Sequence, residues 1–273
     1  MNVDKRQFRR HLTQLVASVL YNFNIKGFFT GNIYQGKLKG LCVPSLNCYS
    51  CPGAIMSCPL GTLQNGIMTI KIKFPYYILG LILLFSVILA RFICGHLCPM
   101  GLLQDVLYKI KSKKIKKNNI TRKLSIIKYI ILILFVIILP ILFNYPAFCK
   151  FICPAGTVEA ALPLAIVNTK IHSLLKFFFR LKVLILILTI LAVIFIYRAF
   201  CRFICPLGAI YSMFNKISFV RMDVDKNKCD NCNVCVNICP MDIKKVGDRE
   251  CIMCEKCIDK CHANAIKLIR RIK

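Results

Sequence analysis

The chain has 273 residues, 57% of them hydrophobic, with 39 Lys and Arg against 11 Asp and Glu and a formal net charge of +28. Its mean hydropathy of +0.63 excludes an ordinary soluble domain. Its 18 cysteines fall in tight CxxC and CxxxCP groups, which excludes a short secreted fold stapled by long-range disulfides. The basic excess lies between apolar runs, where it signals membrane topology, and no nucleic-acid motif accompanies it. No nucleic-acid partner is expected.

Residues 1–30 place Lys5, Arg6, Arg9 and Arg10 before an apolar run, Leu12–Phe29, that Asn22, Asn24 and Lys26 interrupt. With no small-residue cleavage site, this run reads as a signal anchor and first span. Residues 31–73 form a cysteine-rich extracytoplasmic segment holding Cys42, Cys48, Cys51 and Cys58. Residues 74–217 form the membrane domain. Its three long apolar runs, Phe74–Ala90, Leu124–Phe143 and Leu181–Tyr197, are close to the roughly 20 residues that cross a bilayer. Phe74, Tyr76, Tyr77 and Arg91 stand where interface anchors belong. Pro154–Val167 is apolar but only 14 residues long, so it is expected as an interfacial or re-entrant helix. Lys109–Lys123 carries eight basic residues and no acid, which marks it as cytoplasmic. Four spans then put both termini in the cytoplasm of a multi-pass protein of the cytoplasmic (inner) membrane.

A repeat organises the membrane domain. Three spans end in RFICGHLCPMG (91–101), FCKFICPAG (148–156) and FCRFICPLG (200–208), and Cys58 opens a reduced copy, CPLG. The paired cysteines are Cys94/Cys98, Cys149/Cys153 and Cys201/Cys205. Proline disfavours helix at the preceding cysteine and suits the first position of a new helix, so Cys98, Cys153 and Cys205 are expected at helix N-termini. There the helix dipole favours a thiolate. By side, Cys94/Cys98 and Cys201/Cys205 face the cytoplasm and can share one inner [4Fe–4S] cluster. Six cysteines (Cys42, Cys48, Cys51, Cys58, Cys149 and Cys153) face outward, where four suffice for an outer cluster and two are left over. A hydrocarbon core is about 30 Å thick. Electron transfer between the two sites therefore needs the CPxG helices to draw them inward, or another cofactor between them.

Residues 218–273 hold Cys229, Cys232, Cys235 and Cys239-Pro, followed by Cys251, Cys254, Cys257 and Cys261. This is the two-cluster spacing in which each run's fourth cysteine ligates the other run's cluster. The sets are Cys229, Cys232, Cys235 and Cys261, and Cys251, Cys254, Cys257 and Cys239. The alternating segments Phe219–Asp223 and Ala265–Ile269 are expected to pair as strands. The fold class is thus an all-α polytopic membrane protein of about four spans, with a small C-terminal α+β ferredoxin-like domain. The cofactors are two [4Fe–4S] clusters there and one or two more at the membrane cysteines.

Other polar residues carry less. His96 lies inside a CxxxC loop, His262 reads as a cap rather than a ligand, and His11 and His172 read as interfacial. Gln64 and Gln104 recur after CPxG, where repeat-related packing is favoured over a quinone contact. Asp105 and Glu159 are the only acids between Lys5 and Arg221, each on a short helix after a CPxG turn, and a proton-linked role is open to them.

The motif GNIYQG at 31–36, Cys42-x5-Cys48-Tyr-Ser-Cys51-Pro-Gly, the repeated CxxxCPxG and the C-terminal double run together resemble the polyferredoxin family. That family includes NapH-type quinol dehydrogenase subunits and the membrane half of NosR-type proteins. The resemblance implies an electron-transfer subunit, rather than a stand-alone enzyme, working between quinol or a cytoplasmic donor and a redox partner that is often flavin-bearing or periplasmic. The chain adds a CxxxCP after the third span and the N-terminal cysteine group, and lacks a flavin-attachment domain, so its acceptor is expected to be another protein. A related set has been connected with copper reduction, which keeps cysteine-based copper handling or assembly as the alternative.

Overall fold

A computed structural model describes residues 3–69, 75–115, 118–167 and 177–270; His172 and Phe74 lie outside them. The protein is mostly helical. Among the described residues, two helices, Ile120–Phe143 and Phe177–Phe195, are long and apolar enough to cross a membrane. Their flanks expose Ile130, Ile133, Leu184, Leu188 and Leu191, apolar surface that suits lipid rather than water. The longer helix loosens into a π-helical stretch at Leu132–Ile138 because Pro140 has no N–H to give back to the preceding turn.

Of the other two expected spans, one is broken and one is shorter than the sequence suggested. The N-terminal run forms Val3–Tyr21 and Ile25–Thr30, broken at the polar Asn22 and Asn24, whose side chains bond to Ser18, Asn47 and Pro52 rather than continuing the helix. The next is a 13-residue helix, Tyr76–Ile88. Pro154–Val167 is helical throughout, with a wide turn at Thr157–Ala161 ahead of Pro163.

Each repeat turns the chain sharply just before its first cysteine. Ala90, Asn144 and Arg198 all take the left-handed conformation, with φ of 44°, 52° and 51°. Short helices then carry Cys94 (Phe92–His96), Cys149 (Phe148–Ile152) and Cys201 (Ala199–Phe203). New helices begin at Pro59, Pro99, Pro154 and Pro206, with Cys58, Cys98, Cys153 and Cys205 as the extended residues before them. Cys98, Cys153 and Cys205 thus stand at helix starts as expected, and Cys58 does the same.

In the C-terminal segment Val220–Val224 pairs antiparallel with Ile266–Arg270, Val220 opposite Arg270, one residue along from the expected strands. This segment packs on the membrane domain through many buried contacts. Asn215 Nδ2 donates to the carbonyls of Asp248 and Cys251, Gln7 Nε2 to that of Cys254, and Arg91 Nε to that of Arg249.

Candidate metal centres

Sixteen of the 18 cysteines gather in four groups. Cys229, Cys232, Cys235 and Cys261 line an open cavity of about 320 Å³ at the far end of the C-terminal segment. Cys239, Cys251, Cys254 and Cys257 line a small closed one of about 20 Å³ facing the membrane domain. In each group the fourth cysteine comes from the other run. Both runs wind with a left-handed residue on each side of the second cysteine: Asn231 and Asn233 about Cys232, Met253 and Glu255 about Cys254.

In the membrane domain, Cys94, Cys98, Cys201 and Cys205 form a proximal group beneath the C-terminal segment, each within electrostatic reach of the others. Cys48, Cys58, Cys149 and Cys153 form a distal group lining a cavity of about 340 Å³. Cys42 and Cys51 do not line it. Cys42 Sγ instead lies 3.4 Å from Thr62 Oγ1, and Cys51 faces the backbone N–H groups of Gly53 and Ala54. They stand apart from the other four of the six.

The CPxG motif has a direct physical reading here. The glycine N–H points back at the cysteine sulfur, at 3.4 Å for Gly156 to Cys153 and 3.3 Å for Gly208 to Cys205. Gly101 does the same for Cys98 and Gly61 for Cys58. At Gly101 and Gly208 a Cβ would sit 2.8 and 3.1 Å from the carbonyl oxygens of Cys94 and Cys201, so the close turn needs glycine.

The proximal and distal groups are neighbours. The short segment Pro44–Cys48 runs between them: the Leu46 N–H points at Cys98 sulfur, while Leu46 and Cys48 line the distal cavity. Two residues of chain span at most about 7 Å, far less than the roughly 30 Å of a hydrocarbon core. Tyr211, fully buried, donates to Pro44 O at 2.5 Å and lies within electrostatic reach of Cys94, Cys98 and Cys205 of the proximal group and Cys58 of the distal group. The two groups therefore lie close together, as electron transfer between them requires. The cysteine-rich segment folds inward and the CPxG helices bring both groups to a shared interior.

Buried charge surrounds the proximal group. Asp105 Oδ2 accepts from Arg10 Nη1 at 2.8 Å and Arg198 Nη2 at 2.6 Å, and Oδ1 from Arg198 Nε at 2.8 Å. Arg198 Nη1 also donates to Cys94 O at 2.5 Å. Arg91 and Lys128 both pair with Glu250, and Arg202 with Asp242. Arg91 is therefore a fully buried residue and not an interface anchor. Sequence missed Arg91 and Arg198 in this role, although both stand three residues before the first cysteine of a proximal pair. Burial alone would raise the Asp105 carboxyl, but Arg198 and Arg10 override it and hold it well below the usual carboxylate range. Asp105 is locked in ion pairs and carries no proton near neutrality. His96 stacks on Phe92 with ring centroids 4.0 Å apart, and the exposed His262 pairs with Asp230 at 2.8 Å.

Glu159 differs. It accepts from the Cys48 backbone N–H at 2.6 Å, and burial pushes its carboxyl from the usual 4.5 up to about 7. A carboxyl raised on folding holds its proton in the native state, so native stability falls as pH rises through that interval and levels off above it. Glu159→Gln is expected to remove that loss. Thermal unfolding of the purified protein in detergent at several pH values checks it, and an unchanged pH slope in the variant would refute it.

These residues fit iron–sulfur clusters. Burial pushes up the thiols of Cys98, Cys201 and Cys205 in the proximal group and of Cys58 and Cys153 in the distal one, so cysteines converging there as thiolates require a cationic centre among them. Arg91 Nη1 is buried, has no hydrogen-bond partner among the described residues, and lies beside Gly208 facing Cys94 and Cys201. An anionic centre in the proximal group would give it a partner.

Fold and site together define a membrane protein built to hold iron–sulfur clusters. The sequence model of a 4Fe-4S binding domain matches residues 74–118, 128–162 and 180–224, one CxxxCP repeat in each. An uncharacterized protein of Methanocaldococcus jannaschii is 32% identical over 198 residues, covering 69% of this chain and 76% of its own. The ferredoxin-type protein NapH of Escherichia coli is 23% identical over 98% of this chain and 93% of its own length. The putative electron transport protein YccM of Escherichia coli is 26% identical over 64% of this chain and 50% of its own. No solved structure matches. The chain belongs to the membrane-type polyferredoxin family, as an iron–sulfur protein of electron transfer.

Proposed function

We propose that the chain is an electron conduit with four [4Fe–4S] sites in series, ordered from the exposed C-terminal group, through the closed one, to the proximal and then the distal group. The observation that carries this is their packing. The closed C-terminal group backs onto the proximal group through Arg91, Arg249 and Glu250, and the proximal group meets the distal across Pro44–Cys48 and Tyr211. Each cluster, when bound, supplies a one-electron carrier. The chain's own residues hold the thiolates, aim N–H groups at the sulfurs and keep water away.

In this reading the broken N-terminal pair of helices and Tyr76–Ile88 complete a four-span bundle, with both termini and residues 218–273 in the cytoplasm. Electrons pass between a cytoplasmic donor, or quinol at the membrane, and a partner redox protein docking near the distal group. The NapH and YccM relatives, named as ferredoxin-type and electron transport proteins, support the class of partner.

The test uses the whole protein in sealed vesicles with an impermeant oxidant inside and a reductant outside. Wild type is expected to reduce the trapped oxidant and Cys149→Ala to lose nearly all of that flux. Equal flux in the variant would sink the conduit. Quinol that fails to reduce the protein would remove quinol as donor.

A further inference from the structure

Gln64 and Gln104 are related by the repeat, each six residues after the cysteine of a CPxG turn. Both are completely buried. Each places one side-chain amide N–H on the carbonyl four residues back in its own helix, Leu60 at 3.4 Å and Met100 at 3.1 Å. The other reaches across to a cysteine sulfur of a different repeat: Cys149 at 3.1 Å from Gln64, and Cys201 at 2.9 Å from Gln104. A thiolate accepts and cannot donate, which fixes the orientation of both amides. For Gln64 a second contact fixes it independently, since its Oε1 accepts from the Phe148 N–H at 3.0 Å.

The targets are complementary to the backbone donors. Cys58, Cys98, Cys153 and Cys205 each receive a glycine N–H at a helix start. Cys149 and Cys201, which lie before those turns, receive the glutamines instead. With no exposed surface and both N–H groups committed, neither glutamine is placed to meet a quinone.

We propose that Gln64 and Gln104 are matched tuning groups, each donating an amide hydrogen bond to a ligand sulfur and so raising the reduction potential of its own site. The inference rests on the four-site reading above. A donor to sulfur stabilises the more negative, reduced form more than the oxidised form. Removing one such bond shifts the reduced-to-oxidised ratio by about threefold to tenfold, tenfold being about 59 mV for a one-electron couple.

The experiment is an EPR-monitored redox titration of the whole, anaerobically purified protein, with iron counted on the same samples. Cys149→Ala and Cys94→Ala identify the distal and proximal signals. Gln64→Leu and Gln64→Glu are expected to lower only the distal potential, and the same changes at Gln104 only the proximal one, with iron unchanged. Full iron with unmoved potentials overturns the tuning role and leaves the four-site reading standing. Loss of the site's iron from both variants also overturns it, making the glutamine a group that positions its ligand. Wild type with only the C-terminal irons defeats the four-site reading and this inference together.

Discussion

Arg198→Met is expected to be the most damaging single change outside the cysteines. Arg198 is fully buried, gives Asp105 two hydrogen bonds at 2.8 and 2.6 Å, and holds the Cys94 carbonyl at 2.5 Å. Methionine has nearly the right volume and no charge, leaving Asp105 buried with Arg10 as its remaining close guanidinium. Removing one partner of a buried pair costs about 3–5 kcal/mol, because the other charge stays desolvated. The variant should unfold at markedly lower denaturant and lose the proximal cluster first. Pairing it with Asp105→Asn should recover part of the loss, since the stranded charge is then gone. Chemical denaturation in detergent, followed by iron release, gives both numbers. A single variant as stable as wild type would show that the network does not hold the site.

Gly95→Val should break the join between the C-terminal segment and the proximal group. Gly95 lies inside the Cys94–Cys98 loop, and a Cβ there would stand 2.2 Å from the backbone oxygen of Ile252. Neither side can yield cheaply, because one is the cysteine loop and the other leads into Cys251 and Cys254. Overpacking of this kind costs about 1–3 kcal/mol. Here the cheapest relief is to lift residues 218–270 off the membrane domain. The C-terminal irons should remain, while reduction of the proximal group from the C-terminal side slows, as freeze-quench EPR would record. Unchanged transfer would mean that the contact at Ile252 is not the route.

The parts legible in the sequence were those set by local chemistry. The grouping of each C-terminal run's fourth cysteine with the other run follows the two-cluster spacing, and the strands fall within one residue of their expected places. CPxG predicts helix starts at Pro99, Pro154 and Pro206 because proline and glycine act on their immediate neighbours. What depends on closure in three dimensions was not legible. Nothing local separates Cys42 and Cys51 from Cys48 and Cys58; only the inward path of Pro44–Cys48 does so. Arg91 looked like an anchor because its partner, Glu250, is 159 residues away. The glutamines looked like packing because their sulfur acceptors lie on another repeat.

The most direct measurement is iron and acid-labile sulfide per chain in the anaerobically purified whole protein. Four sites of four irons predict about sixteen irons, falling to about twelve in Cys94→Ala or Cys149→Ala and unchanged in Cys42→Ser or Cys51→Ser. About eight irons in wild type, unmoved by Cys94→Ala or Cys149→Ala, would leave clusters only in the C-terminal segment and contradict the account.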